Sequence, residues 1–109
     1  MADIQEHKDA VLKYVSKVNQ AALDGMAKNY ALALSNKDSQ YVAASDESER
    51  ATVRENFLKK KLSLTDSDAA LDAAIVAVGE TMKADRMKSR LAFYYLLAEK
   101  YNKLDLFIK

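Results

Sequence analysis

The chain has 109 residues and a net charge of +1, with no cysteine, no proline and two glycines. The absence of cysteine excludes a disulfide framework, a thiolate metal site and a cysteine nucleophile, and the lack of proline and near lack of glycine favour long helices over a turn-rich all-β fold. At this length one domain over residues 1–109 is expected, able to bury roughly two thirds of its unfolded surface.

In chain order, the first helix is expected over Ile4–Val18. Asp3 is its N-cap and Glu6 follows at the capping-box spacing. Val11, Tyr14, Val15 and Val18 share one face, opposite Lys8, Lys13 and Lys17. His7, the sole histidine, lies one turn after Asp3 and reads as an ordinary surface residue, without the further ligands that a metal needs. A second helix, Ala21–Leu34, carries the stripe Leu23, Met26, Ala27, Tyr30, Ala31 and Leu34. Gly25 costs it about 1 kcal/mol against alanine, so it either permits close approach or marks a loose start. Residues 35–39 read as a loop, and Asp38 is placed to cap a short turn, Gln40–Ala44, that buries Tyr41 and Val42.

Ser45 or Asp46 caps the next helix, which is expected to run to Lys61 and close on Lys59, Lys60 and Lys61, cations suited to the negative end of the dipole. On a wheel of 3.6 residues per turn, Val53 and Phe57 fall on one side and Ala51, Leu58 and Leu62 on another. Arg50, Arg54 and Lys61 lie between them, roughly 60–100° from Val53. The helix thus reads as wedged between two packing surfaces with a basic seam between them. A further helix runs to about Lys83, with Thr65 as cap and a core stripe of Leu71, Ala74, Ile75, Val78 and Met82. Ala69, Ala70, Ala73 and Ala77 cover most of its remainder, leaving a narrow polar strip of Asp68, Asp72 and Lys83 that includes Gly79. Capping and the dipole account for its aspartates, since the glycine turn of a calcium loop is absent. Charge is unevenly placed here: residues 63–82 carry four acids and no base, whereas residues 83–109 carry three acids and seven bases.

The last helix is expected over residues 86–101, capped by Asp85. Leu91 to Ala98 holds no charge on any side, and a helix apolar all round is a buried one. Any wet edge would follow Lys88, Ala92, Tyr95 and Glu99, taking the Tyr95 hydroxyl to water or Glu99. Asn102 is a left-handed terminator, after which Leu104, Leu106 and Phe107 fold back on the core. The expected fold is all-α: a compact irregular bundle of five or six helices around this C-terminal helix.

Three ordered blocks carry a resemblance: Val53 to Leu62, Asp68 to Ile75, and Phe93 to Tyr101. Over roughly residues 36–107 they resemble a family of small, single-domain bacterial proteins known as a domain of unknown function, with the first 35 residues matching loosely. Where that family is expected to have glycine after Tyr101, this chain has Asn102, which keeps the helix stop. The resemblance implies an all-helical bacterial cytoplasmic protein and brings no activity and no functional residues with it.

No catalytic constellation is legible. His7 stands alone on a terminal helix, two isolated glycines cannot cradle a phosphate, and no metal or cofactor is implied. No uncharged run approaches the ~20 residues of a membrane span, and the acid-bearing start lacks the apolar stretch of a signal peptide, so a cytoplasmic location is expected. Tyr14, Tyr30, Tyr94 and Tyr101 sit on apolar stripes, as core tyrosines do. The leading reading is a non-catalytic protein-interaction module, motivated by apolar residues left on polar strips, chiefly Val76, with an enzyme of a class the sequence does not display as the residual. Its alternative is an anion site built from Arg50, Arg54 and Lys61 with Arg86, Lys88 and Arg90; the near-neutral charge makes nucleic acid a poor fit. The acids of residues 63–82 are available to pair with the same arginines inside the fold.

Overall fold

A computed structural model of the chain describes residues 4–35, 40–43, 46–85 and 88–108. Within them six α-helices and a small antiparallel bridge surround one apolar centre: α1 (Ile4–Tyr14), α2 (Gln20–Asn29), α3 (Ala31–Ser35), β1 (Tyr41–Val42), α4 (Glu47–Thr52), α5 (Asp68–Thr81), β2 (Lys88–Ser89) and α6 (Arg90–Lys100). A π-helix, Val53–Lys61, continues α4, and a 3-10 helix, Leu104–Phe107, follows α6. The fold is all-α, as the periodicity implies, and α6 is its axis. Residues 90–98 are buried except the partly covered Leu96, and α6 touches α1, α2, α5, both strands and the 3-10 helix. No helix among the described residues is long and apolar enough to cross a membrane.

Several boundaries differ from the sequence reading, each for a local reason. The first helix stops at Tyr14 rather than Val18, because β-branched Val15 and Val18 and the intervening Ser16 are poor helix formers. Just beyond them the Asn19 side chain caps α2 by accepting from the Ala22 N–H at 3.1 Å. The Asn19 N–H meanwhile donates to the Tyr95 hydroxyl at 2.8 Å. Tyr95 is therefore fully buried and turned inward, not on a wet edge, and Ala92 is buried beside it. The second predicted helix breaks at Tyr30, whose ring packs edge-on against Phe57 and Tyr94. Gly25 does permit close approach: a Cβ there would lie 1.8 Å from the Phe107 carbonyl oxygen. Within the expected turn, whose last residue Ala44 lies outside the described residues, Tyr41 and Val42 form strand β1 instead, with Tyr41 opposite Ser89 and Val42 opposite Lys88.

The helix caps also move. Asp46 caps α4 through the Ser48 N–H, as expected. Ser67 rather than Thr65 caps α5, and Ser89 rather than Asp85 caps α6. The last helix therefore begins at Arg90, four residues later than the sequence pattern suggests. Asp85 instead accepts from the Tyr14 hydroxyl at 2.6 Å and the Lys13 ammonium at 2.5 Å. Asp3 and Asp38, also read as caps, fall outside the described residues. Asn102 does end α6 in the left-handed region, with φ at 57°. Phe107 returns to the core, whereas Leu106 is half exposed.

The largest departure is the π-helix. Its i→i+5 bonding, carried past the last turn by the Leu62 N–H on the Phe57 carbonyl at 2.9 Å, brings residues five apart to the same side. Val53 and Leu58, and Phe57 and Leu62, are such pairs, and all four are buried. The residues that the ideal wheel divides between two apolar clusters thus come to one side, while the segment still packs against both α5 and α6. Phe57 stacks on Tyr94 at 4.0 Å and lies 6.3 Å from Phe107, so the π segment joins α6 and the C-terminal 3-10 helix through aromatic rings.

Candidate functional site

Four of the six basic residues of the anion reading, Arg54, Lys61, Lys88 and Arg90, are directed at different elements. Arg54 on the π-helix reaches α5: Nη1 donates to both carboxylate oxygens of Asp72, at 2.9 and 3.1 Å, and Nε donates to Glu55 at 2.8 Å. Lys59 closes the network on Asp68 at 2.6 Å and Glu55 at 3.0 Å. Glu55 and Asp72 raise the guanidinium pKa of Arg54, while Lys59 and Arg54 hold Glu55 and Asp68 below their usual carboxyl range. The α5 aspartates thus pair with the helix that precedes them. Lys61 lies over the Phe107 ring at 5.4 Å, and Lys88 donates to the Asp85 carbonyl at 2.9 Å. Arg50 stands partly buried in the last turn of α4, and Arg86 lies outside the described residues.

Arg90 is the most enclosed of them, 8% exposed. Its Nη2 donates to Glu49 at 2.6 Å, and its Nη1 donates to the Tyr94 hydroxyl at 2.6 Å. Burial would lower its pKa, but Tyr94 and Glu49 outweigh that and the net direction is upward. The guanidinium ties the start of α6 to α4.

Two arrangements were not singled out in the sequence. The first is a contact between His7 and Ser89: Nδ1 and Oγ are 2.6 Å apart although the residues are 82 positions apart. His7 is buried at 2% exposure, not a surface residue. Its spacing held the signal, since position 7 precedes Val11 by four and shares the apolar face of α1. The pair has the atom types of a nucleophile and base, but both side chains are buried and the Ser89 Oγ also caps α6.

The second is the outer face of α5. Ala69, Ala70, Ala73, Val76 and Ala77 are all exposed, Val76 at 48%. The ion pairs to the π-helix hold Asp68 and Asp72 at one edge, and Gly79, read as part of the polar strip, is buried. At the other edge a shallow groove of about 180 Å³ is lined by Ala77, Val78, Thr81, Leu96, Glu99 and Lys100. Among the described residues no three His, Asp or Glu side chains gather as a metal site.

A family model described as "Protein of unknown function (DUF2853)" matches residues 6–105. The match reaches well into the first 35 residues, beyond the span of the three sequence blocks. No curated protein matches the chain significantly.

Proposed function

The chain belongs to the family described as protein of unknown function (DUF2853), and on that premise we propose that it is a non-catalytic protein-interaction module docking through the outer face of α5. The observation that carries this reading is the uncharged exposed run Ala69, Ala70, Ala73, Val76 and Ala77, continuous with the groove beside Leu96. Small side chains let a partner backbone come close. Asp68 and Asp72 at one edge are already paired with Lys59 and Arg54, and the groove at the other edge carries Glu99 beside Lys100. The partner that fits is an amphipathic helix with a small apolar face. Anion binding through Arg54 or Arg90 draws less support, because each would have to release a carboxylate that it already holds.

The test compares the immobilised protein with a variant carrying Ala73→Arg and Val76→Arg. Both positions are exposed, so melting should shift little. A partner retained only by the unsubstituted protein, with amide protection in the reconstituted complex confined to residues 69–81, supports the reading. A partner held equally by both, or protection elsewhere, overturns it.

A further inference from the structure

His7 is the point at which α1, β1 and β2 meet. Its Nδ1 faces the Ser89 Oγ at 2.6 Å, and its ring lies 5.6 Å from that of Tyr41. Its Nε2 and the Oε1 of Gln40 are both buried without a hydrogen-bond partner, and the Gln40 side chain is close enough to favour the protonated ring. The neutral ring suits this setting. The Ser89 hydroxyl can donate to Nδ1 while its oxygen accepts from the Ala92 N–H at 3.4 Å. A proton on Nδ1 would turn both groups toward the same oxygen and strand the hydroxyl hydrogen. It would also place a charge where the surroundings are 98% closed to water. Glu6 on α1 is the carboxylate whose charge favours the imidazolium, and burial outweighs it. Across the contact lie Gln40, Tyr41 and Ser89, and the neighbouring Arg90 is bound to Glu49.

The other end of α1 is fastened differently. Lys13 and Tyr14 hold the Asp85 carboxyl well below its usual range, so that clasp stays charged as the pH falls through 6. Burial and the Asp85 bond push the Tyr14 phenol up to about 12, so it remains a donor there. Lys8, half-buried, pairs with the exposed Asp24 on α2 at 3.1 Å, a contact that water weakens.

We propose that α1 is an acid-released strap, in which protonation of His7 frees its N-terminal half from the β1–β2 bridge and the start of α6 while the Asp85 clasp retains Lys13 and Tyr14 as the hinge. This reading is independent of the α5 surface. Burial holds the folded midpoint of His7 below the ordinary 6.5. The closed strap is therefore fully stable above pH 6.5, loses stability as the pH falls from there toward the folded midpoint, and loses no more below it. Each pH unit within that interval multiplies the opening constant about tenfold.

Because His7 is the sole histidine, its imidazole resonance can be titrated by NMR in the full chain without ambiguity. The midpoint is expected below 6.5. Between about pH 7.5 and pH 5, amide exchange corrected for its intrinsic rate should accelerate in residues 5–9 and 88–90, by about tenfold for each pH unit that separates 6.5 from the midpoint the titration reads, and hold steady in residues 11–14. His7→Asn, neutral at every pH and still able to bond Ser89, should lose that response. If His7→Asn fails to fold, the titration and exchange of the unsubstituted chain decide alone. A midpoint at or above 6.5, acceleration spread evenly over every helix, or a folded His7→Asn variant with the original response overturns the proposal.

Discussion

Replacing Gly25 with alanine sets helix propensity against packing. In the interior of α2, alanine should stabilise the helix by about 1 kcal/mol. The new methyl would, however, stand 1.8 Å from the Phe107 carbonyl oxygen and 2.9 Å from its carbon, both backbone atoms that no rotamer change can move. Ordinary contact needs about 3.5 Å, so α2 and the C-terminal 3-10 helix would have to part by more than 1 Å. Overpacking of this kind costs about 1–3 kcal/mol. If the 3-10 helix lifts instead, Phe107, now 2% exposed, gives up burial worth about 1.5–3 kcal/mol. The net loss is about 1 kcal/mol or more, a fall in Tm of about 4–8 °C. Thermal unfolding followed by circular dichroism reads it directly. In a Phe107→Ala background the 3-10 helix has lost its anchor, and Gly25→Ala should become neutral or stabilising, a coupling that a double-mutant cycle isolates. A rise in Tm on adding Gly25→Ala to the intact protein would refute the close approach.

Two further pairs of substitutions probe the buried and exposed charges. Glu49→Ala should destabilise by about 3 kcal/mol, because it leaves the enclosed Arg90 guanidinium without its carboxylate, whereas Arg90→Met should cost less; equal losses in urea unfolding would count against a buried pair. Arg54→Ala should lower Tm at low salt and less so at high salt, and adding Asp72→Ala should do little more; a low-salt gel shift with nucleic acid that Arg54→Ala abolishes would instead favour a binding role.

The elements legible in the sequence are those set by long-range apolar periodicity. Leu91 to Ala98 identifies the central helix because eight uncharged residues cover every side of it. The elements set by single hydrogen bonds were not legible. Asp85 has the spacing of a cap, but Tyr14 and Lys13, more than 70 residues earlier, take its carboxylate and leave capping to Ser89. The β1–β2 bridge pairs two residues with two, shorter than any alternating run that marks a strand. The π-helix was hidden because a wheel of 3.6 residues per turn assumes the winding it is meant to reveal. The candidate surface fared in the same way. Val76 stood out as exposed, but the length of the uncharged run depends on Arg54 and Lys59 drawing Asp72 and Asp68 to one edge, which the sequence only permits.

The most buried polar fastenings of α1 and its end are made long after it. His7 waits 82 residues for Ser89, Tyr14 waits 71 for Asp85, and Asn19, at the start of α2, waits 76 for the Tyr95 hydroxyl. An isolated helix of 11 residues is marginal in water. During synthesis the N-terminal segment therefore leaves the ribosome without its main packing partner, α6, and the bundle closes only once that final helix has emerged. A chain cut short before α6 would be left with no bundle to complete, and its apolar stripes would be exposed to proteases and to other chains.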